Sequence, residues 1–226
     1  MKILEKALLI FAVVGIAACA GVNTSEGDPN KPGPESLAET ALSDVSFWYA
    51  NNFVDFSETQ ELIVEQELKG VTVEMMNWWW DNINTTARYR TWHPNDHIYF
   101  KWVVQPEKTT PGKYTPGAVQ EVRERIAGIP ATLLIKWEPY DKPGYPVTET
   151  NFVKASVRLK GIGEEATQLF LHEYHATENG ILLRSVFNLP ADSPSILVNG
   201  LNTHCNEEMQ YLAKVLPNYY KQRNVL

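Results

Sequence analysis

Apolar side chains gather along this chain in two patterns, strand-length runs and stripes at helical spacing, and the pattern separates sheet from helix. Residues 131–137, 151–159, 167–176 and 181–189 are short runs rich in β-branched, aromatic and leucine residues, each of strand length. Glu178-Asn179-Gly180 separates the last two and predicts a hairpin turn. Residues 98–104 read as a further strand. Two other segments carry the helical period. Met75, Met76, Trp79 and Ile83 predict a short helix over 72–83. Cys205, Met209, Leu212 and Leu216 form an apolar stripe that predicts a long helix over 203–222, with Asn202 or Thr203 as its N-cap. Prolines and glycines mark loops over 106–117 and 138–146. Consecutive hairpins make an antiparallel sheet. The expected fold is therefore α+β: a curved antiparallel sheet closed by a long C-terminal helix, with a cavity between them. Trp78, Trp79 and Trp80 cannot share one helix face. Either one or two of them fill the core while another lines a surface, or they line a substrate site.

The N-terminal residues stand apart from this pattern. Lys2 and Lys6, an apolar run over 7–16 and Ala17-Ala18-Cys19 have the layout of an export signal over residues 1–20. That run is too short to span a bilayer. Ile16-Ala17-Ala18-Cys19 resembles the bacterial lipobox, so Cys19 is expected to be lipidated and to anchor the protein to a membrane; ordinary cleavage near Ala18-Cys19-Ala20 is the alternative. Either route takes the protein to the cell envelope, as a lipid-anchored membrane protein or into the periplasm. Residues 21–39 lack aromatic residues and are rich in turn formers, which predicts a flexible tether. A single domain is expected over 40–226. With Cys19 acylated or removed, Cys205 is the remaining thiol and forms no intrachain disulfide.

Composition narrows the partners. The 44% hydrophobic content suits a globular domain, and a formal net charge of -7 without clustered Lys and Arg argues against nucleic acid.

The chemistry gathers around histidines. His204 and Glu208 lie four residues apart on one face of the predicted C-terminal helix, beside its apolar stripe, where both could grip one divalent cation. Tyr89, His93, Asp96 and His97 crowd into a segment just before a predicted strand. His93 precedes Pro94 and is expected to be extended, while Asp96 stabilises the turn that presents His97. Strand alternation puts His172 with Phe170 and Tyr174 on one face, and His175 with Leu171 and Glu173 on the other. Only one of the two histidines can see the cavity.

Several pieces in fixed order carry a family resemblance over most of residues 70–220. They are Asn77-Trp78-Trp79-Trp80; the run from Arg88-Tyr89 through Trp92-His93-Pro94 to Asp96-His97; Gly180 with Leu183-Arg184-Ser185-Val186-Phe187; and His204 to Glu208 leading into Leu212 and Leu216-Pro217-Asn218-Tyr219-Tyr220. Together they resemble the 2,4-diacetylphloroglucinol hydrolase and phloretin hydrolase family. The resemblance implies a helix-grip (Bet v1-like) fold and zinc-dependent hydrolysis of the carbon-carbon bond between a polyhydroxylated aromatic ring and an acyl group. It implies one zinc ion per chain, held by His97, His204, Glu208 and a glutamate from residues 120–126. Glu124 is preferred there over Glu121, and both could instead be solvated charges on a helix. Tyr89, His93, His172 and His175 are the candidates to orient phenolic hydroxyls and carry protons. The implied partner is a small aromatic acyl-phenol, and a homodimer is compatible with the reading. A non-enzymatic lipoprotein that holds a small aromatic or lipid ligand in a helix-grip cavity is the alternative of a different class, against which stoichiometric zinc would favour the enzyme. A zinc hydrolase of esters or amides is a third reading.

Overall fold

Leu62, Val64, Gln66 and Leu68 alternate with outward residues that are polar apart from Ile63, and make β1 (Thr59–Lys69) the first strand of the computed structural model, which describes residues 58–107, 114–161 and 167–223. The expected export signal, Cys19, the tether over 21–39 and residues 40–57 of the expected domain lie outside the described residues. After β1 come α1 (Val73–Asn82), α2 (Thr86–Trp92), β2 (His97–Val104), β3 (Val119–Ile126), β4 (Ile129–Trp137), β5 (Asn151–Leu159), β6 (Gln168–Ala176), β7 (Gly180–Pro190) and α3 (Ser195–Lys221). The strands form a seven-stranded antiparallel sheet in the order β1-β7-β6-β5-β4-β3-β2. It is a meander from β2 to β7, with β1 added at the far edge. Helix α3 packs on β1 at one edge and on β3 next to the other. This is the helix-grip, Bet v1-like α+β architecture.

Register decides which side chains face the helix. Across the sheet Val122, Val153, Ala155, Phe170, Tyr174 and Leu183 are buried on the inner face. Trp79 and Trp80 of α1 are buried with them, while Trp78 is half-buried and meets Tyr220 edge-on. The triple tryptophan thus divides between core and periphery. Cys205, Met209, Leu212 and Leu216 all lie on the buried side of α3.

Four features depart from the sequence expectation. Strand β1 is not predicted, because the three glutamates on its outward side give it a composition poor in strand formers. Helix α2 is not predicted either. Its seven residues are too few to show a period, and it is started by Thr85, whose Oγ1 accepts the Arg88 N–H at 3.1 Å. Residues 120–126 belong to a strand and not to a helix, so the outward charges Glu121 and Arg125 alternate with inward Val122 and Glu124. Helix α3 begins at Ser195 and not at 203, with Pro194 as its N-cap and no side-chain capping bond, so neither Asn202 nor Thr203 caps it. Gly200 falls inside this early part. A Cβ there would lie 2.5 Å from the Ala127 Cβ, so the missing side chain lets α3 rest on the β3–β4 turn.

Candidate metal centre

Three separated segments bring four donors to one place. His97 opens β2 and is the register partner of Glu124 on β3. A register shift between His97 and Tyr99 interrupts the alternation at this end of β2, a device that re-aims side chains next to sites. His204 and Glu208, one turn apart on α3, approach from the helix side, and all four side chains are buried. His97 Nε2 lies 3.7 Å from Glu124 Oε2 and 3.6 Å from Glu208 Oε2. His204 Nε2 lies 4.0 Å from each of the same two oxygens. Tetrahedral bonds of 2.0–2.2 Å to zinc require neighbouring donors about 3.3–3.6 Å apart, so these separations need only a small contraction.

The imidazole tautomers test whether a cation fits. His97 Nδ1 is 3.0 Å from the Tyr89 carbonyl, which can only accept, so the ring proton sits on Nδ1 and the Nε2 lone pair is free. His97 Nε2 is buried and has no hydrogen-bond partner. His204 Nδ1 is likewise 3.3 Å from Asp96 Oδ2, which turns its Nε2 toward the glutamates. Two bare Nε2 lone pairs face the carboxyl groups of Glu124 and Glu208 across a buried space that suits a cation, and a carbonyl or carboxylate behind each ring is the usual support of a metal-bound histidine. The donor set suits zinc.

The donor atoms of His97, Glu124 and His204 lie within 4.8 Å of one another, with Glu208 just outside that group, and a second group, His93, Asp96 and His204, meets the same spacing. Its tautomer argues against a metal. His93 Nδ1 accepts the Asp96 backbone N–H at 3.3 Å, so the neutral ring carries its proton on Nε2, the atom that would have to bind the cation.

Burial sets the charges. It pushes the Glu208 carboxyl up to about 8, helped by the charge of Glu124 and opposed by His204. It holds His97 below the usual imidazole range, against the pull of Glu124. The Tyr89 phenol is raised well above its usual value by burial and by Glu124, so it stays a donor, and it holds Glu124 Oε2 at 2.5 Å. The Tyr89 ring also stacks on His97, with centroids 3.9 Å apart, and Trp92 meets that imidazole edge-on at 5.2 Å.

The remaining sequence candidates separate by face. Glu121 points outward to Lys160 at 3.0 Å and Lys101 at 3.5 Å, away from the cluster. His172 is on the inner face, stacked parallel to Trp80 at 5.5 Å, with Nδ1 2.7 Å from Ser185 Oγ. Burial takes its pKa down to about 3. His175 is on the outer face, exposed and paired with Glu149 at 2.9 Å, so among the two histidines it is His172 that looks inward. His93 lies beside the cluster, with its ring flat against His204. Three contributors are absent from the sequence candidates: Asp96 as the support of His204, Trp92, and Ser185 behind His172. Asp96 sits within the histidine-rich segment and Ser185 within a resemblance motif. Nothing local tells which distant side chain each one meets. An open cleft of about 580 Å³ runs beside Asp96 and His204, between the turn at Ala127 and Gly128 and the first turns of α3.

Comparison with known proteins adds the following. The profile of the DAPG hydrolase PhiG domain matches residues 58–221. The phloretin hydrolase of Eubacterium ramulus is 26% identical over 179 residues, which are 69% of this chain and 65% of that protein, so the chain spans just under two thirds of this relative. Among solved structures, Ara h 8.0201 aligns with a TM-score of 0.47 at 14% identity, covering 71% of this chain and 99% of that one. The ginseng major latex-like protein 151 from Panax ginseng aligns with a TM-score of 0.47 at 12% identity, covering 70% and 97%. A START superfamily protein from Mycobacterium smegmatis aligns with a TM-score of 0.47 at 10% identity, covering 71% and 97%.

Proposed function

This chain belongs to the DAPG hydrolase PhiG domain family, and from that premise we propose that it is a zinc-dependent hydrolase of the carbon-carbon bond joining an acyl group to a polyhydroxylated aromatic ring, as in an acylphloroglucinol. The observation that carries the reading is the convergence of His97, Glu124, His204 and Glu208, with four donor separations of 3.6–4.0 Å and both imidazoles presenting Nε2. The likeness to a phloretin hydrolase supports a phenolic ring in the substrate. When bound, zinc supplies Lewis acidity to a carbonyl and to a water.

Hydrolysis places the hydroxide of a water on the acyl carbon and a proton on the ring carbon that leaves. A ring expelled as a bare carbanion is too high in energy, so the ring must first be held as the keto form, protonated at that carbon. The side chains divide this work. Tyr89 fixes Glu124 through its hydroxyl and His97 through its ring. His172 is uncharged at neutral pH and its Nδ1 is engaged by Ser185, so in this reading it orients a phenolic hydroxyl of the ring by a neutral hydrogen bond. The parallel Trp80 ring sets the plane of that imidazole. His175, on the outer face, has no part in this reading.

Elemental analysis of the purified protein should find stoichiometric zinc, lost in Glu208→Ala and Glu124→Gln and kept in Glu121→Gln. Turnover of an acylphloroglucinol, followed by chromatography, should vanish in His97→Ala and His204→Ala while circular dichroism stays that of the parent. Negligible zinc in the parent protein would leave a ligand-binding module in place of the enzyme.

A further inference from the structure

His93, Asp96 and Glu207 flank the cluster without supplying a donor to it. The His93 side chain is 1% exposed, and its Nε2 lies 3.3 Å from Glu207 Oε2 and 3.6 Å from Asp96 Oδ2, within ion-pair range of both carboxylates although neither closes a hydrogen bond with it. Asp96 at the same time accepts the Nδ1–H of His204 at 3.3 Å. The His93 ring lies on the His204 ring with centroids 4.8 Å apart and planes 8° from parallel. His93 therefore reaches one cluster histidine twice, through its ring face and through a shared carboxylate. Its backbone also carries the neighbouring donor, since the His97 N–H bonds the His93 carbonyl at 2.9 Å.

We propose that His93 is a positioning residue that sets the grip of His204 on the cation, an inference that rests on His204 being a metal ligand. The Asp96 side chain is 25% exposed, so unaided it would turn toward water. The buried N–H of His93 draws it inward instead, where its oxygen orients His204 and raises the basicity of Nε2. The ring face stops His204 from rotating out of the plane in which Nε2 meets the glutamates. Substitution separates the two contributions: phenylalanine keeps the stack and loses the N–H, whereas glutamine restores an N–H near the same point.

The test uses the full chain, with zinc affinity measured by chelator competition and cobalt(II) absorption as the coordination signature. His93→Phe should weaken zinc binding by about 10–100-fold, the usual effect of removing the partner behind a metal-bound histidine, and should alter the cobalt bands. His93→Gln should return affinity to within a few-fold of the parent with the parent's spectrum. Parent affinity and an unchanged spectrum in His93→Phe would overturn the proposal, as would equal losses in both variants. Should His93→Phe not fold, Asp96→Asn takes its place: the same loss supports the proposal, and unchanged binding refutes it. A parent protein that binds no zinc would fail the functional reading itself, and the positioning role with it.

Discussion

Glu208 sits one turn from His204 on the buried side of α3, where an ionised carboxylate has little water to solvate it. In the metal-free protein it keeps its proton up to about pH 8, whereas the unfolded chain releases it near 4.5. The folded state then holds the extra proton, so this contribution is complete below about 4.5 and is lost as pH rises toward about 8. His172 acts in the opposite sense. Its folded pKa of about 3 lies below the unfolded 6.5, so its contribution is complete above 6.5 and is lost as pH falls. Between pH 6.5 and 8 the glutamate acts without that opposing change. Glu208→Gln should therefore flatten the decline of thermal stability over that interval in chelator-treated protein, and an unaltered slope would mean that Glu208 is not the group responsible. The choice between Glu121 and Glu124 belongs to the same scale. Their three-residue spacing means opposite faces on a strand but nearly the same face on a helix, so the choice turned on the element type of residues 119–126.

Helix α3 shows how an element can override the propensity of its own residues. Glycine is a poor helix former, yet Gly200 lies within the helix because its missing side chain admits Ala127 of the β3–β4 turn. On propensity alone Gly200→Ala would stabilise by about 1 kcal/mol. The clash at 2.5 Å opposes this, and overpacking a filled site costs about 1–3 kcal/mol. Chemical denaturation should thus show a net loss on the order of 1 kcal/mol, and a gain would mean that the helix and the turn move apart at little cost. The predicted strands over 131–137, 151–159, 167–176 and 181–189 match β4 to β7 closely, because β-branched, aromatic and leucine residues fit a pleated, packed surface and turn residues bound the runs. Helix α2 and strand β1 escape that reading. One is held by a cap and its tertiary contacts, and the other by its edge pairing with β7.

At the scale of the molecule the centre links one edge of the sheet to the helix that covers it, since β2 and β3 supply His97 and Glu124 and α3 supplies His204 and Glu208. A cation that binds only the assembled cluster should stabilise the whole domain, by about 2.7 kcal/mol at a free concentration of one hundred times the dissociation constant. Melting temperature should rise with added zinc and fall with chelator in the parent protein. The response should be absent in Glu208→Ala, and an equal response there would move the binding site elsewhere. The sequence alone determined the strand-length apolar runs and the helical stripe, and with them a sheet closed by a C-terminal helix. It also supplied the inventory of donors, because side-chain direction within a strand or helix depends only on local spacing. Tertiary structure decided which histidine looks inward, which glutamate completes the cluster and which nitrogen of each imidazole is bare. Those properties depend on strand register and on carbonyls and carboxylates brought up from elsewhere in the chain, and no local spacing encodes that meeting.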